Sequence, residues 1–273
     1  MTGIGALGVL LSVADFRRGR QIRRFGRVLL PPLQGGADWA RERDHVAVDE
    51  ALRNAVAQQW RENGRTEYAS VAAFSRLSLD LLALGAPPAL VAAAQRDALD
   101  EIRHAELSFA LARSIDGVAV SPGAFTAVRD TKPLAGPREV LLARLAVDSL
   151  VDGALHEGVS ARVIAQLGRR SEVAGIRSLL KELAADEGRH AAHGWEVVAW
   201  CVSEGGAPVL DALRGAARAL PATMVSVLPA GAADGAWERY GIHGRALEAA
   251  EYRTGREDLI RRVDALCGHR AAA

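Results

Sequence analysis

Apolar residues recur at spacings of three and four along four long stretches of the chain. In the first stretch the pattern includes Val71, Phe74, Leu77 and Leu81. Such spacing places apolar side chains on one face of an α-helix. We therefore predict amphipathic helices over four ranges, approximately residues 48–84, 88–114, 138–166 and 172–203.

Glycine and proline mark where these helices end. GAPP at 85–88 predicts a sharp turn with proline positioned to start the second helix. RRSE at 169–172 predicts a short turn capped by Ser171, and EGGAP at 204–208 predicts the end of the fourth helix. Asn63-Gly64 is a weak point of the first helix, which we nevertheless expect to be continuous.

The connections predict how the helices pair. The first two and the last two helices are joined tightly, whereas residues 117–137 form a longer crossover. Two helical hairpins joined in this way predict an all-α, ferritin-like four-helix bundle. We assign residues 1–38 to an N-terminal arm, 39–204 to the bundle, and 205–273 to a C-terminal extension with helical pieces at 208–219 and 256–267.

Composition supports helix and narrows the class of partner. Hydrophobic residues make up 49 % of the 273-residue chain and aromatic residues only 5 %, and a core rich in Ala and Leu favours helix over sheet. With 34 basic and 33 acidic residues the net charge is +1, so no global field attracts nucleic acid. Cys201 and Cys267 are too few for a disulfide framework, which fits a cytoplasmic protein in which both serve packing.

The N-terminus is apolar but does not resemble an export signal. MTGIGALGVLLSVADF has no positive charge before its apolar run and no convincing cleavage site. We expect neither export nor a transmembrane helix. The basic segment that follows, FRRGRQIRRFGRVLLPP, fits either an arm packed on its own domain or a surface that binds a partner or membrane.

Two short motifs carry the candidate chemistry. DEIRH at 100–104 and DEGRH at 186–190 repeat the same residue types in the same order. Glu101 and His104 are three residues apart, as are Glu187 and His190, so each pair lies on one helical face about one turn apart. Each helix therefore offers one carboxylate and one imidazole to the same ion.

Helix geometry predicts a matching acid on each hairpin partner. Glu187 lies about 16 residues, or roughly 24 Å, beyond the turn at Ser171. The opposing residue should lie a similar distance before the turn, where Glu157 is found. The same reasoning applied to Glu101 leads to a position near 70, where Glu67 is the nearest acid.

The resulting set contains four carboxylates and two histidines: Glu67, Glu101, His104, Glu157, Glu187 and His190. Oxygen and nitrogen ligands without thiolate favour iron or manganese over structural zinc, and this number suits two ions. Clustered carboxylates would be strongly unfavourable in a core without cations. The alternative is a helical bundle in which the same residues form buried salt bridges.

These residues also carry a family resemblance. Glu157, then 28 residues, then DEGRH resembles the E-x28-D-E-x-R-H pattern of the oxygen-activating di-iron carboxylate proteins. That superfamily includes ribonucleotide reductase small subunits, acyl-carrier-protein desaturases and bacterial multicomponent monooxygenase hydroxylases. Glu67, then 32 residues, then DEIRH is a near copy with about one extra helical turn. The resemblance covers residues 66–200 and implies a ferritin-like fold, two iron ions held by the six residues, and O2 as co-substrate.

The flanking charges suit a supporting role. Asp100 and Asp186 can accept the free N–H of a liganding histidine across the bundle. Arg103 and Arg189 can then pair with these aspartates. The alternative is that all four are solvated residues of the helix surface.

Other side chains leave several interpretations open. His193 lies one turn beyond His190 and could be a seventh ligand, a proton relay or a packed histidine. Phe74, Leu77 and Leu81 could line a substrate pocket, although core packing is the default.

The function expected from this resemblance is an O2-dependent di-iron oxidoreductase, a hydroxylase, N-oxygenase or desaturase acting on a small organic substrate. A mixed manganese and iron pair also fits the ligands. Since the chain has no CxxC pair or flavin motif, electrons must come from a separate donor or from the substrate. We expect a monomer or homodimer. The alternatives are a ferritin-like or rubrerythrin-like protein that oxidises iron or reduces peroxide, and a metal-stabilised helical interaction module.

Overall fold

A computed structural model describes residues 20–24, 27–130, 135–224 and 235–269. The apolar segment discussed above, residues 1–16, lies entirely outside the described residues. The described chain is mostly helical, with these bounds: α1 Glu50–Ala83, α2 Pro88–Asp116, α3 Arg138–Asp148, α4 Gly158–Arg170, α5 Ala174–Ala219 and α6 Arg245–His269. None of the described helices is both long and apolar enough to cross a bilayer.

The helices pair as the connections predict. α1 packs along α2, and α3, the segment Ser149–Glu157 and α4 follow one another along α5. α2 also contacts α5. One hydrophobic cluster extends from α1 to α6, so the C-terminal extension shares the core of the preceding helices.

The first helix is continuous through Asn63-Gly64, as expected. The glycine has a packing role. A Cβ on Gly64 would lie 3.0 Å from the ring of Phe109 on α2. The missing side chain therefore lets an aromatic residue of α2 lie directly against the α1 backbone.

The third predicted helix contains a feature that the sequence did not reveal. Residues Ser149–Glu157 form a π-helix, which we call the π segment, and it ends at Glu157. π-Helical turns are often found at functional sites. The π segment lies very close to α5. A Cβ on Gly194 of α5 would lie only 2.7 Å from the backbone N of Ala154.

One predicted helix boundary agrees with the structure and one differs. At EGGAP, Gly206 has non-helical angles (φ 60°, ψ −135°) and Pro208 follows, so two helical stretches meet there at a kink. The predicted break and the helical piece predicted at 208–219 are both present, and the helix continues to Ala219. Ser171 does not cap α5, which begins after Val173 without a side-chain cap. Its hydroxyl instead donates to the carbonyl of Arg239 at 3.0 Å.

The all-α prediction omits two small antiparallel strand pairs. β1 (Arg23–Arg24) pairs with β2 (Arg27–Val28), and β3 (Leu33–Gly35) pairs with β4 (Val120–Pro122). The second pair ties the N-terminal arm to the long crossover. The first pair is a hairpin within the arm itself.

The arm and the C-terminal region both pack against the chain itself. Arg20, Gln21 and Ile22 are each no more than 7 % exposed, which agrees with the packed-arm interpretation of the basic segment. At the other end, the indole N–H of Trp60 donates to the carbonyl of Tyr240 at 3.0 Å. Cys201 and Cys267 are both buried free thiols, as expected for packing residues.

Candidate metal centre

The six residues of the predicted ligand set come together from four elements. Glu67 comes from α1, Glu101 and His104 from α2, Glu157 from the π segment, and Glu187 and His190 from α5. Their potential ligand atoms form two groups, within each of which all atoms lie within 4.8 Å of one another: Glu67, Glu101, His104 and Glu187 in one, and Glu101, Glu157, Glu187 and His190 in the other. Two carboxylates, Glu101 and Glu187, belong to both groups.

The cluster is dry and electrostatically unfavourable on its own. Glu101, Glu157 and Glu187 are at most 2 % exposed. Burial, with repulsion from Glu67 and Glu187, raises the pKa of Glu101 well above its usual range. Burial, with repulsion from Glu157, does the same for Glu187. Burial also raises the pKa of Glu157 to about 7, so protons or cations must neutralise these acids.

Several buried nitrogen and oxygen atoms of the cluster lack hydrogen-bond partners among the described residues. These are both carboxylate oxygens of Glu101, Oε2 of Glu157 and of Glu187, and Nδ1 of His104 and of His190. Buried polar atoms are nearly always satisfied in native proteins. Unsatisfied acceptors that converge on one point therefore indicate a missing positive partner.

The spacing of these atoms fits divalent ions. Nδ1 of His190 lies 3.2 Å from Oε1 of Glu101, and Nδ1 of His104 lies 3.6 Å from Oε1 of Glu187 and 3.9 Å from Oε2 of Glu101. An octahedral ion with bonds of about 2.1 Å holds neighbouring ligand atoms ~3.0 Å apart and opposite ones ~4.2 Å apart. All three separations fall between these limits.

Each histidine of the cluster is oriented by an aspartate from the opposite helix. Nε2 of His104 lies 3.1 Å from Oδ2 of Asp186, and Nε2 of His190 lies 3.4 Å from Oδ2 of Asp100. An N–H at Nε2 donates to the aspartate and leaves the Nδ1 lone pair facing the carboxylates. The repeated motif is thus used reciprocally, with the Asp of each copy serving the His of the other.

Two arginines complete this arrangement. Arg189 lies 3.1 Å from Asp100 and 2.5 Å from Asp186, and Arg103 pairs with Asp186 from the other side. Although burial acts to raise the pKa of Asp186, hydrogen bonds from His104 and Arg189 lower it to about 2. The hydrogen bond from His190 lowers the pKa of Asp100 against the effect of burial. Both aspartates therefore remain acceptors over the physiological pH range.

His193 lies outside both groups of the cluster. Its Nδ1 is 2.6 Å from Oδ2 of Asp97, and the imidazole is 4 % exposed. Asp97 also lies 3.8 Å from Nε2 of His190 and forms a further metal-capable group with Asp100 and His190. Asp97 is not among the predicted site residues, although it lies one turn before Glu101 on the same face of α2.

The arm provides another contact that the sequence did not reveal. The backbone N–H of Arg20 donates to Oε1 of Glu157 at 2.7 Å. This bond occupies one oxygen of the carboxylate and leaves Oε2 directed to the cluster without a partner among the described residues. No sequence pattern predicts a backbone donor 137 positions away.

In comparisons with known proteins, no family model, no curated protein and no solved structure matches the chain.

Proposed function

We propose that this protein is a non-haem di-iron oxidoreductase of the ferritin-like four-helix class, which uses O2 to oxidise a small organic substrate. Hydroxylation, N-oxygenation and desaturation all suit such a centre. The observation that carries the proposal is the pair of overlapping, buried carboxylate and histidine groups whose converging lone pairs lack partners among the described residues.

The ligand roles follow from the two groups. His104 with Glu67 would serve one ion, and His190 with Glu157 would serve the other. Glu101 and Glu187 belong to both groups and can serve both ions. One imidazole and three carboxylates per ion match the hard oxygen and borderline nitrogen donors that ferrous iron and manganese accept.

A reduced iron pair, when bound, supplies the electrons that activate O2. The protein supplies orientation and a dry environment. Asp186 and Asp100 fix the histidine tautomers, and the Arg20 N–H fixes one oxygen of Glu157. Five of the six ligands are buried and only Glu67 is half-buried, which limits access of water and strengthens electrostatic interactions inside the site.

In this proposal, electrons come from a separate partner or from the substrate itself. The chain has only two cysteines, Cys201 and Cys267, and both are buried. They cannot form a CxxC redox pair or an iron–sulfur ligand set.

The proposal is tested by anaerobic loading with ferrous iron followed by mixing with O2. We expect about two irons per chain, one round of rapid oxidation, and renewed O2 consumption only when a reductant is added. Glu101→Gln with Glu187→Gln should abolish the fast phase, whereas the exposed Glu257→Gln should retain it. Repeated ferrous oxidation with growth of a mineral core, especially in a large assembly, would instead identify an iron-storage protein.

A further inference from the structure

A second feature lies beside the candidate metal centre, between the arm, α1 and the start of the π segment. It is a cavity of about 280 Å³, close to the lower limit for small-molecule sites. Its apolar wall includes Ala73, Leu77 and Leu145. The sequence allowed Leu77 to be either a pocket-lining residue or a core residue, and it is both.

Arg20 is the most unusual side chain in this cavity. It is only 6 % exposed, and its guanidinium carbon lies 5.6 Å from the centre of the Phe74 ring. Within the described part of the chain its side chain makes one hydrogen bond, a long one of 3.4 Å to the hydroxyl of Ser149. Nε is buried without a hydrogen-bond partner among the described residues, none of which forms an ion pair with this guanidinium.

A buried, unpaired guanidinium is energetically unfavourable unless something pairs with it. Its planar fork of donors matches a carboxylate through two parallel hydrogen bonds. Arg23, by contrast, is already paired with Asp152, with both contacts at 2.7 Å. Arg20 is therefore the group positioned to receive an anionic part of a ligand.

The inner end of the cavity adjoins the candidate metal centre. The backbone N–H of Arg20 contacts Glu157, and the Phe74 ring lies 5.1 Å from the ring of His190. A molecule held by the Arg20 guanidinium would therefore lie within one side-chain layer of the ligands.

Two carboxylates, whose negative charge is opposite to that of the Arg20 guanidinium, line the same cavity. Asp80 and Asp148 both face it, and neither forms an ion pair with a described residue. Asp80 is half-buried and the surface of Asp148 is partly exposed, so this end is the shallower one, although burial and repulsion from Asp152 still raise the pKa of Asp148 to about 6. Burial raises the pKa of Asp80 even though Arg76, Arg20 and Arg144 attract its charge. A further cation would relieve that penalty.

We propose that this cavity binds a small zwitterionic molecule, whose carboxylate pairs with Arg20 at the deep end and whose ammonium group pairs with Asp80 and Asp148 at the shallow end. Amino acids and amino-substituted aromatic acids belong to this class. If this molecule is the substrate, that part of the inference rests on the proposed function. The binding site itself stands on the cavity and its unpaired charges.

The test is calorimetric titration of the full chain with four probes that share one ring. These are 4-(aminomethyl)benzoate, 4-methylbenzoate, 4-methylbenzylamine and the neutral 4-methylbenzyl alcohol. Because a hydrogen bond to a charged group is strong, we expect the zwitterion to bind roughly tenfold or more tightly than each of the others. Equal affinity for the zwitterion and the alcohol, or no binding of any probe, would overturn the proposal.

Variants assign each end of the site. Arg20→Met should weaken binding of the zwitterion and of the benzoate roughly tenfold and leave binding of the amine unchanged. Asp80→Asn should weaken binding of the zwitterion and of the amine and leave binding of the benzoate unchanged. Arg27→Met, at an exposed position of β2, is the matched control. If Arg20→Met does not fold, Arg20→Lys replaces it in the test. Lysine keeps the positive charge but lacks the planar fork of donors, so this variant should retain only part of the benzoate affinity. Unchanged benzoate affinity in a folded Arg20→Met protein contradicts the proposal.

Iron content measured on the same samples separates the two proposals. Selective probe binding without iron uptake would refute the di-iron proposal and leave the zwitterion site standing. Iron uptake without selective probe binding would refute the zwitterion site alone.

Discussion

Removal of the negative charge on Glu157 is predicted to stabilise the metal-free protein. Glu157 is fully buried, and its carboxylate accepts a hydrogen bond from the backbone N–H of Arg20. In the variant Glu157→Gln, the amide oxygen can still accept that bond, and the shape of the side chain is nearly unchanged. The principal change is the loss of a carboxylate that burial disfavours.

The size of the effect follows from the pKa. Burial raises the pKa of Glu157 from 4.5 to about 7, which corresponds to ~3 kcal/mol of destabilisation by the charged form at roughly 1.4 kcal/mol per pH unit. Because the folded pKa is raised, this penalty is absent below pH 4.5 and complete above pH 7. The weaker hydrogen bond to a neutral amide offsets about 1 kcal/mol. A net gain of about 2 kcal/mol remains at pH 8, and almost none remains at pH 5.

The assay is urea denaturation of chelator-treated protein at both pH values. Glu157→Gln should unfold at higher urea than the wild type at pH 8, and the two proteins should coincide at pH 5. Glu257→Gln, at an exposed position of α6, should stay within about 0.5 kcal/mol of wild type at both. If Glu157→Gln were the less stable protein at pH 8, the carboxylate would be a structural ion-pair partner, and the reasoning from an uncompensated buried charge would fail.

Further predictions concern packing, ligand orientation and pH. Gly194→Ala should destabilise the protein by ~1–3 kcal/mol in thermal or chemical denaturation, because its Cβ would lie 2.7 Å from the Ala154 backbone N. Gly188→Ala on the same helix meets no atom within 4 Å and should stabilise by ~0.5–1 kcal/mol. Asp186→Asn should lower ferrous affinity about 10–100-fold in competition with a chelator, whereas the exposed Asp264→Asn should not. Ferrous affinity should fall as the pH drops from 8 to 6, because ligands with raised pKa values must lose protons, and a flat profile would count against a carboxylate site.

The sequence predicted those features that follow from the regular repeat of the α-helix. The three and four spacing of apolar residues predicted the long helices, and GAPP located the tight turn between α1 and α2. The six cluster residues could be located because helix rise is fixed, so that distance from a turn converts directly into height along a hairpin. Side chains at equal heights on neighbouring helices then meet.

Other features depend on contacts that no local pattern encodes. The π segment changes the hydrogen bonding of one stretch, and nothing in SLVDGALHE separates it from ordinary helix. The bond from Arg20 to Glu157 and the pairing of His193 with Asp97 each join residues far apart in the chain. The break at Gly206, by contrast, is encoded locally, since glycine followed by Pro208 marks a helix breaker and the apolar pattern resumes in the helical piece predicted at 208–219.

The most direct measurement is a crystal structure of protein loaded anaerobically with ferrous iron, with anomalous diffraction recorded at the iron absorption edge. We predict two strong peaks per chain, one contacted by His104 and the other by His190, with Glu101 and Glu187 within reach of both. A fully loaded crystal with no anomalous peak among these residues, or with iron only at surface carboxylates, would contradict the metal centre.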